Sequence, residues 1–252
     1  FIREDEDISA LVLELLEREG VRVLTGAKAT QVAQDGDGIH VTVEGDYNEV
    51  VSGSHLLVSV GRRPNSDKLN LEAVGVETNE RGFIRVDDHL RTTAPGIWAL
   101  GDVNGLGAFT HTSYHDYEIV LDNLRGGTRN VSERNMTYAV FIDPPLGRVG
   151  MNKTQARQSG RNVLITTKPF KHMGRALERG EPFGVFEILV DADTQQILGA
   201  TVFGIGGDEI VQAFNYYMAS GATIQPMMEA LPVHPTIAEF VPTLLKGLKP
   251  LD

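Results

Sequence analysis

The chain has 252 residues, 41% of them hydrophobic, enough for one large domain or two small ones. With 23 Lys and Arg against 34 Asp and Glu the formal charge is −11, which excludes a general nucleic-acid binder because little is present to neutralise a phosphate backbone. No apolar run approaches the roughly 18 residues of a membrane span, and the absence of cysteine excludes disulfides, thiolate metal sites and a cysteine nucleophile within this chain.

The chain opens without methionine, in a charged stretch that leads straight into a helix pattern, and so reads as part of a longer protein. Ile8, Leu11, Val12, Leu15 and Leu16 recur on one helix face over residues 8–19, with acidic Asp5–Asp7 at the start and Gly20 as the stop. Val21–Leu24 is predicted as a short strand. Ala29–Ala33 and Ile39–Val43, on either side of Asp35–Gly38, are predicted as a hairpin. His55–Val60 is an apolar run ending at Gly61, predicted as a buried strand. Short strands are predicted at Gly82–Val86 and Gly96–Leu100, a helix at Tyr114–Leu124, and a linker at Arg125–Asn130. Beyond residue 135 the pattern changes. Strands are predicted at Met136–Ile142, Val163–Pro169, Val185–Val190 and Ile197–Phe203. Helices are expected near 152–159, 208–220, 225–231 and 236–247. Strands followed by helices suggest a separate α+β module.

Three motifs carry chemistry. The run Thr92–Asp102 ends at Gly101-Asp102, placing a carboxylate at a strand's C-terminal edge, where α/β folds bind ligands and where an aspartate can accept hydrogen bonds from sugar hydroxyls. Alone, a Gly-Asp is usually an ordinary turn. In Val233-His234-Pro235-Thr236-Ile237-Ala238-Glu239, Pro235 is predicted to open a helix with Glu239 in its first turns. A carboxylate beside the His234 ring would hold its tautomer, as acid–base work requires, although a histidine before a helix is more often a surface residue. Gly61-Arg62-Arg63-Pro64-Asn65 follows an apolar run and reads either as a dinucleotide approach or as a solvated basic turn.

In their order and spacing the three together resemble the flavin-dependent pyridine nucleotide–disulfide oxidoreductases, the group of glutathione reductase, dihydrolipoamide dehydrogenase and mercuric reductase. Gly101-Asp102 resembles the second FAD motif of that family, Gly61–Asn65 its Gly-Arg-x-Pro-Asn junction, and His234-Pro235-Thr236 with Glu239 its C-terminal His-Pro-Thr and glutamate. Asp143–Gly150 and Gln155-Ala156-Arg157 resemble the opening of its dimerisation domain. Phe109–Tyr117 departs from the alanine-rich helix of mercuric reductases, whose C-terminal cysteine pair is also missing here. Asp116–Val120 looks more like the reactive-chlorine-resistance flavoproteins, which reduce copper(II).

The resemblance implies an α/β Rossmann-like fold, with parts of the NAD(P) and FAD domains, followed by an α+β dimerisation domain. Residues 1–60 would be the later, C-terminal part of the NAD(P) domain, 61–132 would hold the junction and the later part of the FAD domain, and 133–252 would form the dimerisation domain of a homodimer. FAD and NAD(P)H are the implied cofactors. Asp102 with Gly101 would meet the flavin ribityl or phosphate side, Ala108, Phe109, Thr110 and His111 its pyrimidine edge, and Gly61 the nicotinamide dinucleotide. His234, oriented by Glu239, would serve as acid–base in the partner subunit's site. The acceptor would be a disulfide, a thiol-bound species or a metal ion, the compartment the cytoplasm, and the chain inactive by itself. Phe214, Met218 and Leu231 are expected on the pairing surface. The alternatives are a transhydrogenase or oxidase without a working cysteine pair, and a non-catalytic dimerisation module.

Overall fold

The computed structural model describes residues 1–252. Helix α1 (Glu6–Arg18) is followed by a three-stranded antiparallel sheet in the order β1 (Ala27–Asp35), β2 (Gly38–Gly45), β3 (Glu49–Gly53). The expected hairpin is present and gains a third strand that the sequence did not signal. A long irregular stretch, 54–109, then leads into α2 (Thr110–Leu124). The rest comprises β4 (Thr137–Val140), β5 (Leu146–Gly150), α3 (Lys153–Gln158), β6 (Val163–Pro169), α4 (Gly174–Glu178), β7 (Val185–Asp191), β8 (Ile197–Phe203), α5 (Gly207–Ser220), α6 (Gln225–Glu229), α7 (Val241–Lys246) and β9 (Lys249–Pro250). Its six strands pair antiparallel in the order β4-β5-β8-β7-β6-β9.

Both faces of this sheet are covered, which explains the unbroken apolar runs of β7 and β8. Phe186, Ile188 and Val190 point to one face, where they join Phe214 of α5, Met227 of α6 and Leu244 of α7. Val185 and Phe203 point to the other, against Ile8, Val12 and Leu15 of α1, while Leu189 meets Ala156 of α3. Alternate residues of one strand therefore serve two cores. Gly147 of β5 allows α5 to seat closely, since a Cβ there would lie 2.2 Å from the Gly207 carbonyl oxygen. No helix is long and apolar enough to cross a membrane.

The face shared with α1 also buries charge. Glu4 accepts from Arg148 Nε at 2.9 Å and from the Tyr138 hydroxyl. Lys153 Nζ bridges Asp7 and Glu187, the latter at 2.9 Å. Buried Asp5 accepts from the backbone N–H groups of Lys153 (2.9 Å) and Thr154 (3.0 Å) and from the Thr154 hydroxyl (2.8 Å). Burial pushes the Asp5 carboxyl up, but these bonds and the charge of Arg148 outweigh it and hold the group below its ordinary value. Stability from a depressed carboxyl is complete above the unfolded value of 3.8 and is lost as pH falls through the lower folded value. Asp5→Asn is therefore expected to lower stability at neutral pH and to flatten its decline below about pH 4. Urea midpoints taken across that range test this; an acid limb as steep as wild type would remove Asp5 from the account.

Several expected elements are absent. Val21–Leu24 is an irregular connection, not a strand. His55–Val60 also forms no strand and is exposed, Leu57 by 88% and Val60 by 92%, because no other strand of the chain lies beside it to pair with. Gly82–Val86 and Gly96–Leu100 contribute only isolated bridges, Thr78 to Ile84, Val86 to Thr92 and Arg91 to Trp98. The expected linker is tied down, with Gly127 N–H on the Asp122 carbonyl and Val131 N–H on that of Asp88, both at 2.9 Å. Phe214 lies in the core and is unavailable for pairing, whereas Leu231 is exposed and Met218 packs partly against the core.

Candidate active site

Gly101 and Asp102 do not end a strand. They open a 3₁₀ turn, Gly101–Asn104, laid against α2. Gly101 sits at φ +73°, and a Cβ there would come within 2.7 Å of Ser113 Oγ, so both its conformation and its close approach require glycine. Asp116, buried in α2, holds the turn by accepting from Gly101 N–H (2.8 Å) and Asn104 Nδ2 (2.9 Å), and its other oxygen pairs with buried Arg134. Asp102 is thereby presented outward, its side chain 40% exposed, with Oδ2 accepting from Arg62 Nη2 at 2.6 Å. Gly61 stands beside that arginine in the chain, exposed and at φ +125°.

Residues Ala108–His111 form the entry to α2. Thr112 Oγ1 donates to the Phe109 carbonyl (2.7 Å) and accepts from Phe109 N–H (3.2 Å), closing the helix start. The rings of His111, Phe109 and Tyr138 stack in series, with centroids 5.1 and 5.7 Å apart. His111 Nε2 lies 2.8 Å from the Thr137 carbonyl oxygen, which can only accept, so Nε2 carries the proton. Phe109, Thr110 and His111 line a cleft of 820 Å³ bounded by residues 129–135, β4 and α5.

His234 and Glu239 lie elsewhere, between α6 and α7, and line none of this cleft. Pro235 does not open a helix. A 3₁₀ turn begins at Ala238, and Thr236 Oγ1 accepts from Glu239 N–H at 3.1 Å, so the threonine caps the turn. The His–Glu pair itself forms: His234 Nδ1 is 2.9 Å from Glu239 Oε2 and 3.2 Å from Oε1. The carboxylate can only accept, so Nδ1 donates and Nε2 faces outward on a ring whose side chain is 81% exposed.

Sequence reasoning missed Arg62 as the partner of Asp102, Asp116 as the anchor of the turn, and the cluster of His115, Arg129 and Arg134. A polar Asp116 in the helical register of Ile119 and Val120 was the one available signal.

Residues 2–118 match the family model described as pyridine nucleotide-disulphide oxidoreductase, and residues 136–245 match that family's dimerisation domain. The probable pyridine nucleotide-disulfide oxidoreductase RclA of Escherichia coli is 35% identical over 249 residues, which are 98% of this chain and 56% of the relative. A dihydrolipoyl dehydrogenase of Thermus scotoductus is 34% identical over 93% of this chain and 51% of its own length. Among solved structures, a Cu(II) complex of the HOCl-induced flavoprotein disulfide reductase RclA from Escherichia coli superposes with a TM-score of 0.88 at 33% identity, covering 99% of this chain and 56% of that one. The chain belongs to the pyridine nucleotide-disulphide oxidoreductase family, with its α/β Rossmann-like fold and dimerisation domain. It spans about half the length of the curated relatives it matches. Members of the family are enzymes that are FAD-dependent and use NAD(P)H.

The residues present suit one side of a flavin. A half-exposed Asp102 carboxylate accepts from hydroxyl groups. The first N–H groups of α2, which have no partner within the helix, suit the acceptor-rich edge of an isoalloxazine.

Proposed function

We propose that this chain supplies the second flavin contact, the dimer-forming domain and the acid–base pair of an FAD-dependent, NAD(P)H-using oxidoreductase acting on a disulfide, thiol-bound or metal-ion acceptor. The observation that carries the reading is the turn Gly101–Asn104, held on α2 by Asp116 so that Asp102 faces outward beside Arg62. The working division is 1–60 for the NAD(P) domain, 61–132 for the junction and FAD domain, and 133–252 for dimerisation, with the cytoplasm as compartment.

When bound, FAD supplies the two-electron relay between nicotinamide and acceptor. Asp102 would hold the ribityl or phosphate side by accepting hydrogen bonds from ribityl hydroxyls, with Arg62 orienting its carboxylate. The backbone from Ala108 to His111 would border the pyrimidine edge, with Gly101 in the neighbouring turn. Gly61 allows the dinucleotide to approach the backbone. His234, its tautomer fixed by Glu239, would hold or deliver a proton at Nε2 in the site of a second copy, a reading supported by its lining none of the cleft in its own chain. Exposed Tyr216, Leu231 and Val233 are the apolar groups offered for the pairing.

Asp102→Ala in the complete protein tests the reading. A hydrogen bond to a charged acceptor is worth about 1.5–3 kcal/mol, so FAD affinity is expected to fall by about one to two decades. Flavin content and affinity equal to wild type would reduce the Gly-Asp to a turn.

A further inference from the structure

His115 is held between two guanidinium groups. Arg134 Nε lies 3.2 Å from its Nδ1, and Arg129 Nη2 lies 3.3 Å from its Nε2. A neutral imidazole has one acceptor nitrogen and one N–H. If Nδ1 accepts from Arg134, then Nε2 carries the proton and confronts an Arg129 N–H, donor against donor. The other tautomer moves the conflict to Arg134, and protonation extends it to both sides. Burial, then the charges of Arg134 and Arg129, hold the imidazole below the ordinary histidine range; Glu118 and Asp116 oppose this without reversing it.

The arrangement is built into the fold. Arg129 has its N–H on Asp122 Oδ2 (3.0 Å), and its carbonyl accepts from Asn123 Nδ2 (2.7 Å) and faces His89 Nδ1 (3.1 Å). Arg134 is engaged by buried Asp116. Arg129 is not engaged to the same degree, since Glu118 stands 3.5 Å from Nη2, longer than a charge-assisted hydrogen bond. With Arg134 Nε–H donating to His115 Nδ1, the ring proton lies on Nε2, so two donors, Arg129 Nη2–H and His115 Nε2–H, stand 3.3 Å apart in residues lining the 820 Å³ cleft.

We infer that Arg129 and His115 form a binding site for a small organic monocarboxylate, whose oxygens accept one hydrogen bond from each. Two adjacent donors match the two oxygens of a carboxylate. Glu133, Asp208 and Glu209 on the walls of the same cleft disfavour a doubly charged phosphate, while the rings of Phe109 and Tyr138 suit an organic body. The inference does not depend on the flavin reading.

The test titrates the full chain with benzoate, and with benzamide as its neutral counterpart, while the histidine ring resonances are followed by NMR. The signal of His115 is identified by its loss in His115→Gln. Benzoate is expected to saturate and to raise the titration midpoint of His115, because a neighbouring anion favours the imidazolium; benzamide is expected to do neither. Arg129→Gln is expected to weaken benzoate binding about ten- to hundredfold with thermal unfolding unchanged, since its side chain is 45% exposed. An equal response to benzamide, unaltered binding in Arg129→Gln, or no saturable response to benzoate would each overturn the site. Benzoate affinity that falls as protein concentration rises would place a carboxylate of a second copy there and overturn the small-molecule assignment.

Discussion

In the assembled enzyme, His234→Ala is expected to slow delivery of electrons to the acceptor by about 10²–10⁴-fold, the usual cost of losing a positioned acid–base group. Reduction of the flavin by nicotinamide is expected to keep its wild-type rate. The ring donates from Nδ1 to Glu239 at 2.9 Å, which leaves Nε2 as the nitrogen able to exchange a proton with an acceptor. The side chain is 81% exposed and supports no core, so the loss falls on chemistry and not on folding. Glu239→Gln keeps an oxygen that can still accept from Nδ1 but makes that bond weaker, so its effect is expected in the same half-reaction and smaller. Stopped-flow measurement of the two half-reactions separates the steps. Acceptor reduction at wild-type speed in His234→Ala would deny the pair a chemical role.

The second large effect concerns stability. Glu4→Ala is expected to cost about 3–5 kcal/mol, the price of leaving a buried cation without its counter-charge. The side chains of Glu4 and Arg148 are each 3% exposed, and the Tyr138 hydroxyl loses its acceptor as well. Asp5, 4.0 Å from Arg148, compensates in part and puts the expected value at the lower end. Replacing both Glu4 and Arg148 by methionine is expected to recover most of the loss, because a buried pair exchanged for apolar groups is often close to neutral. Urea unfolding of Glu4→Ala, of Glu4→Met and Arg148→Met, and of the double methionine variant reads both the loss and the cycle. A loss below about 1 kcal/mol for Glu4→Ala would be the value of a solvated surface pair, and would leave α1 docked by its apolar face alone.

How far the sequence could be read depended on where each element finds its partners. β6 and β8 were legible to the residue, Val163–Pro169 and Ile197–Phe203, because the apolar starts of both, and most of β8, pair with β7 inside this chain. His55–Val60 carries a run of the same kind, yet it has no strand beside it in this chain, and composition does not reveal that. The same division holds at the site. His234 and Glu239 are five residues apart and meet through one local turn, so their contact could be anticipated. Arg62 reaches Asp102 across 40 residues, and Arg134 reaches His115 across 19, so these pairings depend on the tertiary fold. Glycine at 101 was legible as a turn, but its purpose, the seating of the turn on Ser113, was not.

The docking of α1 on the far sheet sets a timetable for synthesis. Its buried face, Ile8, Val12 and Leu15, finds cover on Leu146, Val185 and Phe203, and Glu4 finds Arg148 only 144 residues later in the chain. At about 5–20 residues per second, ribosomes need roughly 7–30 s to cross that interval. Throughout it the apolar stripe of α1 waits for its cover on β5, β7 and β8, so the helix docks only after those strands have been made.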